Sequence, residues 1–200
     1  MSHILHRQLV RPYPVAVSGR GVYVFDANGK SYIDGSGGAL TSCLGHGHPD
    51  IIAAMKAQLD ALEYVHTSFF TSQAAEQLAD ALIEQAPANI THAFFVSGGS
   101  EAVESCLKIA RQYVVENGEP QRRRFISRRQ SYHGATLGAM SVGGNLARRP
   151  TYEPMLFEGH FIEPCYAYRL QQPGESDEAY GLRAAQALEE QEEIGSLEPG

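Results

Sequence analysis

Ala93-Phe94-Phe95-Val96-Ser97-Gly98-Gly99-Ser100-Glu101 is the stretch on which the fold turns. Its compact apolar run reads as a buried strand, Ser97-Gly98-Gly99-Ser100 breaks it, and a helix leaves at once. The helical spacing runs from about 101 to 115, with Val103, Cys106, Leu107, Ala110 and Val114 inward. The first amides of such a helix have no internal partner and stand at the positive end of its dipole. Glycines let a ligand approach that backbone closely. The turn is therefore suited to a phosphate, to which Ser100 offers a hydroxyl, and each charge-assisted bond there contributes roughly 1.5–3 kcal/mol. A tight strand-to-helix turn that binds nothing is the plain alternative. No Gly-Lys-Ser/Thr follows, so it is not a P-loop, and the Gly-x-Gly-x-x-Gly spacing of a dinucleotide site is absent.

Downstream, Arg124-Phe125-Ile126-Ser127 reads as a strand that ends at Gln130-Ser131-Tyr132-His133-Gly134, with a short helix over 136–141. Phe161-Ile162 reads as a further strand and Ser176-Asp177 as the start of an acidic helix to about 193. In an open α/β sheet ligands sit beyond the carboxyl ends of strands, so two successive strand ends bring a phosphate seat and an aromatic ring together. The Tyr132 ring is a platform for a flat heterocycle. The alternative packs Tyr132 in the core and leaves His133 in a local hydrogen bond.

Upstream, Ser72 reads as an N-cap for a helix with Ala75, Leu78, Ala79 and Leu82 on one face. Pro49-Asp50 opens another, with Ile51, Ile52, Met55, Leu59 and Leu62 at helical spacing. The Gly-rich residues 35–48 look too irregular for helix or strand and long for a plain connection. Val22-Tyr23-Val24-Phe25-Asp26 and Ser31-Tyr32-Ile33-Asp34 flank Asn28-Gly29, a hairpin signal because both residues tolerate positive φ. The order of elements predicts an α/β domain with a largely parallel sheet. Residues 1–49 would belong to a smaller unit and residues 50–200 to the first part of a larger one.

Composition narrows the function. Of 200 residues, 43% are apolar and 20% charged, as in ordinary globular proteins. The net charge of -7 argues against nucleic acid or an anionic membrane as partner. No apolar run approaches the ~20 residues of a membrane span, and the first eleven residues lack the apolar core of a secretory signal. Cys43, Cys106 and Cys165 are odd in number and widely spaced, which fits reduced thiols in the cytoplasm. Cys43, His46 and His48 match no standard zinc spacing and lack a fourth ligand, so no metal is expected. Gly98-Gly99-Ser100-Glu101-Ala102 is one residue away from a Gly-x-Ser-x-Gly nucleophile elbow, which would make Ser100 a hydrolase nucleophile. That reading needs a later acid and a later histidine, and only His133 and His160 follow.

Taken together, four motifs resemble class III (omega-type) aminotransferases over about residues 15 to 145. Phe94 to Glu104, continuing through Leu107-Lys108-Ile109-Ala110-Arg111, resembles that family's Ser-Gly-Ser-Glu-Ala stretch, with Gly98 in place of its first Ser. Tyr132-His133-Gly134 is similar to its Tyr-His-Gly, Gly45-His46-Gly47-His48-Pro49 to its Gly-His-x-His-Pro loop, and Gly29 to Gly35 to its opening hairpin. The resemblance implies the N-terminal portion of a fold-type I enzyme using pyridoxal 5'-phosphate, homodimeric, moving an amino group from an amine or amino acid to a 2-oxo acid. It implies that Gly99 and Ser100 hold the phosphate, that Tyr132 stacks on the pyridine ring and that His133 is a close neighbour.

Such enzymes hold the cofactor as a Schiff base with a lysine. The chain has Lys30, Lys56 and Lys108 only, and Lys108 lies eight residues past Ser100, about 12 Å along the same helix. The family places its lysine, and the aspartate facing the pyridine nitrogen, beyond the point reached here, and Glu198-Pro199 is not its later Glu-Pro strand. The expectation is a truncated chain that binds the cofactor weakly and does not transaminate. A phosphate-binding pseudoenzyme and a serine hydrolase are the alternatives.

Overall fold

The computed structural model describes residues 2–197, with residues 192–197 described by backbone alone, so Glu198-Pro199 lies outside the described residues. Two compact units divide after Thr91.

In the first unit, β1 (Ala16–Arg20), β2 (Tyr23–Asp26) and β3 (Ser31–Ile33) form an antiparallel sheet in that order. The β2–β3 hairpin forms where the Asn-Gly signal predicts it, although only Gly29, at φ 80°, takes a positive φ and Asn28 does not. Asp26 clamps it: Oδ1 accepts from the Asn28 and Lys30 amides at 2.9 and 3.0 Å, and Oδ2 accepts from the Tyr32 hydroxyl at 2.9 Å. The Tyr32 hydroxyl, aided by those amides, holds the Asp26 carboxyl below its ordinary value. β1 has no comparable signal in the sequence; it pairs with β2 through a bulge between Ala16 and Ser18.

The Gly-rich loop is more ordered than its composition suggests. α1 (Gly37–Leu40) is a single turn wound left-handed, with φ of 56°, 60°, 58° and 69° at successive residues. Glycines 37 and 38 tolerate this, whereas Ala39 and Leu40 are each strained by about 1–2 kcal/mol. Asp34 compensates, its Oδ1 accepting from the Gly38 amide at 3.0 Å, while the Ser42 amide donates to Gly37 O at 2.7 Å. His46 then ties the loop back to the sheet. Its backbone exchanges two 2.8 Å bonds with Gly21, and its Nε2 lies 2.9 Å from Asp34 Oδ2. A Cβ on Gly19 would stand 2.6 Å from His46 Cβ, so only glycine admits that approach. α2 (Pro49–Ala61) and α3 (Gln73–Gln85) follow, the latter capped by Ser72 Oγ accepting from the Ala75 amide at 3.3 Å. The apolar residues expected inward on α2, Ile51 to Leu62, are exposed, as are Leu78 and Leu82 of α3. Helical spacing creates such a stripe without supplying the surface that covers it.

The second unit holds α4 (Gly99–Glu116), β4 (Ile126–Arg128), α5 (Leu137–Ser141), a 3-10 turn (Glu153–Met155), β5 (His160–Ile162), α6 (Ala167–Leu170) and α7 (Asp177–Leu197). β4 and β5 pair in parallel, Ile126 with His160 and Arg128 with Ile162. Ala93 to Val96 is not a strand, and Phe94 is 72% exposed. A strand is defined by its neighbours' hydrogen bonds, and none of the described strands pairs with this run. On α4, Val103, Leu107 and Val114 are half-buried while Cys106 and Ala110 are exposed.

The core of this unit gathers around α5: Ala139, Ser141, Val142 and, from β5, Ile162 are buried. The buried side chain of Arg149 fastens the end of that helix. Its Nη1 donates to the carbonyls of Met140, Ser141 and Gly143 at 2.8, 3.0 and 3.1 Å, and its Nη2 donates to Glu153 at 3.2 Å. The guanidinium also lies 5.0 Å from the centre of the Phe161 ring. Tyr180 of α7 is buried, its hydroxyl accepting from the Tyr166 amide at 2.6 Å. Arg183 of the same helix makes two 2.8 Å bonds to Glu175.

Arg149→Met should cost about 3 kcal/mol of stability, since three carbonyls lose a charged donor, and urea unfolding followed by circular dichroism measures it. The Arg183 guanidinium, with the Gln172 amide, holds Glu175 at about 2 against an ordinary 4.5. Because the folded value is depressed, the pair's stabilisation is complete above about pH 4.5 and is lost as pH falls toward 2. Carboxyl NMR titration should show Glu175 returning toward 4.5 in Arg183→Met.

Candidate functional site

The two motifs singled out beyond the N-terminal unit meet within the second unit. At the start of α4, Gly98 is extended (φ -170°, ψ 165°) and carries no side-chain cap. The first intrahelical amide bond of α4 runs from Ala102 to Gly98 O at 3.0 Å, which leaves the amides of Gly99, Ser100 and Glu101 without an intrahelical acceptor. Glu101 reaches back, its Oε2 accepting from the Ser97 amide at 2.9 Å, and this fixes the entry of the chain. Cβ atoms built on Gly98 or Gly99 would meet nothing within 4 Å. Packing against the chain itself therefore does not demand glycine at either position.

The Tyr-His-Gly turn is built from β4. The Arg129 amide donates to Ile162 O at 2.8 Å, Gln130 takes a positive φ of 61°, and its amide donates to Gly144 O at 2.9 Å. Ser131 Oγ donates to Arg128 O at 2.5 Å and accepts from the Gly144 amide at 3.0 Å. Tyr132 then emerges 58% exposed. The Arg148 guanidinium carbon stands 4.9 Å from the centre of its ring. His133 follows, half-buried.

Two side chains of α4, one helical turn apart, hold this segment. Ser100 Oγ accepts from the Ala135 amide at 2.9 Å. Its own proton remains available for donation outward. Glu104 Oε1 accepts from the Gly138 and Ala139 amides at 2.8 and 3.2 Å, at the start of α5. Contact is close enough to require glycine: at Gly134 (φ 140°) a Cβ would fall 2.7 Å from Ser100 Oγ and 2.8 Å from Ala139 Cβ. The Glu104 carboxyl is held below its ordinary value by the nearby Thr136 hydroxyl, then by the Ala139 and Gly138 amides and the Lys108 charge, with burial opposing. Thr136 Oγ1 is buried and makes no hydrogen bond of full geometry, so the two amides are the firmer contacts.

Of the residues expected at a site, Ser100 is thus joined to the Tyr132-His133-Gly134 turn through Ala135 and Gly134, and Gly99 is the first residue of the same helix. Glu104, Ala135, Arg148 and Arg149 escaped sequence reading. Only Glu104 carried a signal, since it sits four residues from Ser100 and so on the same helical face. Among the described residues no group of three or more His, Cys, Asp or Glu is placed to hold a metal. His46 faces Asp34, and Cys43 Sγ approaches Leu40 O at 2.8 Å. No helix among the described residues is long and apolar enough to cross a membrane.

The second unit thus joins an uncapped helix N-terminus to a turn that carries an exposed tyrosine. Comparison with known proteins gives its family. The family model of class-III aminotransferases matches residues 6–196, and the chain belongs to that family. It is 42% identical to the uncharacterized aminotransferase YodT of Bacillus subtilis over 176 residues, 88% of this chain and 40% of that protein. It is 37% identical to an adenosylmethionine-8-amino-7-oxononanoate aminotransferase of Geobacter sulfurreducens, covering 88% of this chain and 39% of that protein. Among solved structures it resembles the omega transaminase of Pseudomonas jessenii in complex with PMP, with a TM-score of 0.82, 29% identity, and 92% and 43% of the two chains covered. The chain spans about 40% of the length of the curated relatives it matches.

Gly134→Ala should destabilise the second unit by roughly 1–3 kcal/mol, from overpacking and a strained φ, and Ser100→Ala by about 1 kcal/mol. Because the added methyl meets Ser100 Oγ, the double variant should lose less than the sum, a coupling that chemical denaturation of all four proteins measures.

Proposed function

We propose that this chain supplies the cofactor-phosphate side of a pyridoxal-phosphate-dependent aminotransferase, which moves an amino group from an amine or amino acid to a 2-oxo acid. The observation that carries the reading is the 2.9 Å bond from the Ala135 amide to Ser100 Oγ, which sets an exposed tyrosine beside a helix N-terminus with unused amides. The residues fit a phosphate ester carrying a flat ring. Gly99 and Ser100 present amides to the ester, Gly98 and Gly99 leave room for it, and Ser100 donates its hydroxyl proton while its oxygen keeps the Ala135 amide. Tyr132 offers one ring face to the heterocycle, with Arg148 over the ring to hold its orientation. His133 stands in the same turn as a neighbour of the ring.

The bound cofactor supplies an electron sink for the carbon losing its proton, and the protein supplies orientation and electrostatics. The lysine that carries the cofactor is assigned to none of Lys30, Lys56 or Lys108. Lys108 is eight residues beyond Ser100 on α4 and serves Glu104 electrostatically instead. The lysine and the group facing the pyridine nitrogen are taken to lie outside these 200 residues, as are the partner contacts of a cytoplasmic homodimer whose sites form at the subunit interface. In this reading residues 1–49 are the start of the small domain and residues 50–200 the first part of the large one. Family membership favours the transferase over the Ser100 hydrolase, and a pseudoenzyme would keep the seat without turnover.

The test uses the longest native protein that carries this segment. It should gain a visible absorption band with pyridoxal phosphate and convert an amino donor and a 2-oxo acid into the exchanged pair. Ser100→Ala and Tyr132→Ala should each weaken cofactor binding about tenfold. Absence of the band in the unaltered protein refutes the reading, a band without transfer leaves the pseudoenzyme, and labelling of Ser100 by a serine-reactive phosphonate supports the hydrolase.

A further inference from the structure

We propose that Glu104 is a positioning residue of this site, resting on the reading above: it never meets the cofactor but fixes where Tyr132 stands relative to the Gly99 and Ser100 amides. α5 begins five residues after Tyr132, with Thr136 at its N-cap, so the placement of its first turn sets the placement of the tyrosine. Among the described residues the side chain that holds that first turn from outside is Glu104, whose Oε1 takes the amides of both Gly138 and Ala139. Gly138 is buried, and any Cβ there would run into the Glu104 carboxylate, so the carboxylate is fitted to the helix end.

The phosphate seat is on the same rigid element. Glu104 is one turn along α4 from Ser100, and an α-helix does not stretch between adjacent turns. Ser100 Oγ to Ala135 and Glu104 Oε1 to Gly138 and Ala139 are therefore two pins of one clasp. Ser131 anchors the near side of the turn, and with one pin alone its far side could still pivot. Two pins fix the angle of the ring above the helix end, and a shift of about 1 Å at such a platform is enough to weaken a bound transition state. A negative charge at this point also offsets the positive N-terminal end of α5, so a carboxylate suits it better than a neutral group.

The test compares Glu104→Ala, Glu104→Asp and Glu104→Gln with Tyr180→Phe in the longest native protein that carries the segment. Tyr180 is buried in the same unit, its hydroxyl accepts from the Tyr166 amide at 2.6 Å and bonds to neither end of α5, so Tyr180→Phe reports loss of stability alone. Read-outs are the dissociation constant of pyridoxal phosphate, the circular dichroism of its visible band, and the melting temperature. Glu104→Ala and Glu104→Asp, the latter too short to reach both amides, should weaken binding about tenfold and diminish the dichroic band. Glu104→Gln keeps an acceptor and should stay within about threefold of the parent. If Glu104→Ala does not fold, Glu104→Asp decides. Parental affinity and dichroism in Glu104→Asp overturn the proposal. So does a loss that Tyr180→Phe reproduces for an equal fall in melting temperature. Failure of the unaltered protein to bind overturns the parent reading instead, so the two failures are distinguishable.

Discussion

α5 is five residues long, far below the length at which an isolated helix is stable in water, because nucleation is costly and few bonds follow it. It persists because a side chain of charge opposite to the helix end holds each end. Glu104 takes the amides at its positive end, and the Arg149 guanidinium takes the carbonyls at its negative end. The helix interior between them supplies the most buried residues of the unit, Ala139 and Ser141. The Ser141 hydroxyl donates back to Leu137 O at 2.7 Å and accepts from the Phe157 amide at 3.1 Å. The Tyr132 turn leads into this helix, and the strand pair β4–β5 is tied to its end through Ser127 and Val142. Geometry at the proposed site is thus inherited from a short, doubly pinned helix.

The N-terminal unit solves a different problem with similar means. A left-handed turn at α1 includes two residues that disfavour it, and carboxylates make the surrounding backbone bonds. Asp26 closes the hairpin, and Asp34 holds both the turn and His46. The Gly-His-Gly-His-Pro loop therefore has a structural use. His46 is a strut between loop and sheet, and His48 stands at the N-cap of α2 ahead of Pro49. Its Gly45 and Gly47, and Gly19 of β1 against His46, are required by close approach or by positive φ rather than by flexibility.

Membership of the class-III aminotransferases gives the motifs a common purpose, and the geometry says how they are coupled. A glycine at 98 where the family's motif has serine removes one hydroxyl from the mouth of the helix. What is left there is backbone amides together with the Ser100 hydroxyl. Many large apolar side chains remain exposed, Phe94 and those of α2 among them, in a chain that spans about 40% of its curated relatives. Surfaces of that character suit burial by further protein.

Local chemistry was legible from the residues alone. Asn28-Gly29 specified the hairpin because Gly29 accepts the positive φ that brings Lys30 back to Asp26. Ser72 specified the start of α3, and Gly98-Gly99-Ser100 specified an uncapped helix N-terminus, because caps are contacts between near neighbours. Tertiary structure decided the rest, since it depends on partners remote in sequence. Ala93 to Val96 has the composition of a strand but lacks the neighbours that make one. The apolar stripe of α2 was correctly spaced and still lies uncovered. Above all, nothing near Glu104 in the chain says that it caps a helix more than thirty residues away, or that Arg149 closes the other end. Periodicity and turn chemistry fix the elements, whereas which side chain satisfies which orphaned backbone group is settled only when those elements meet.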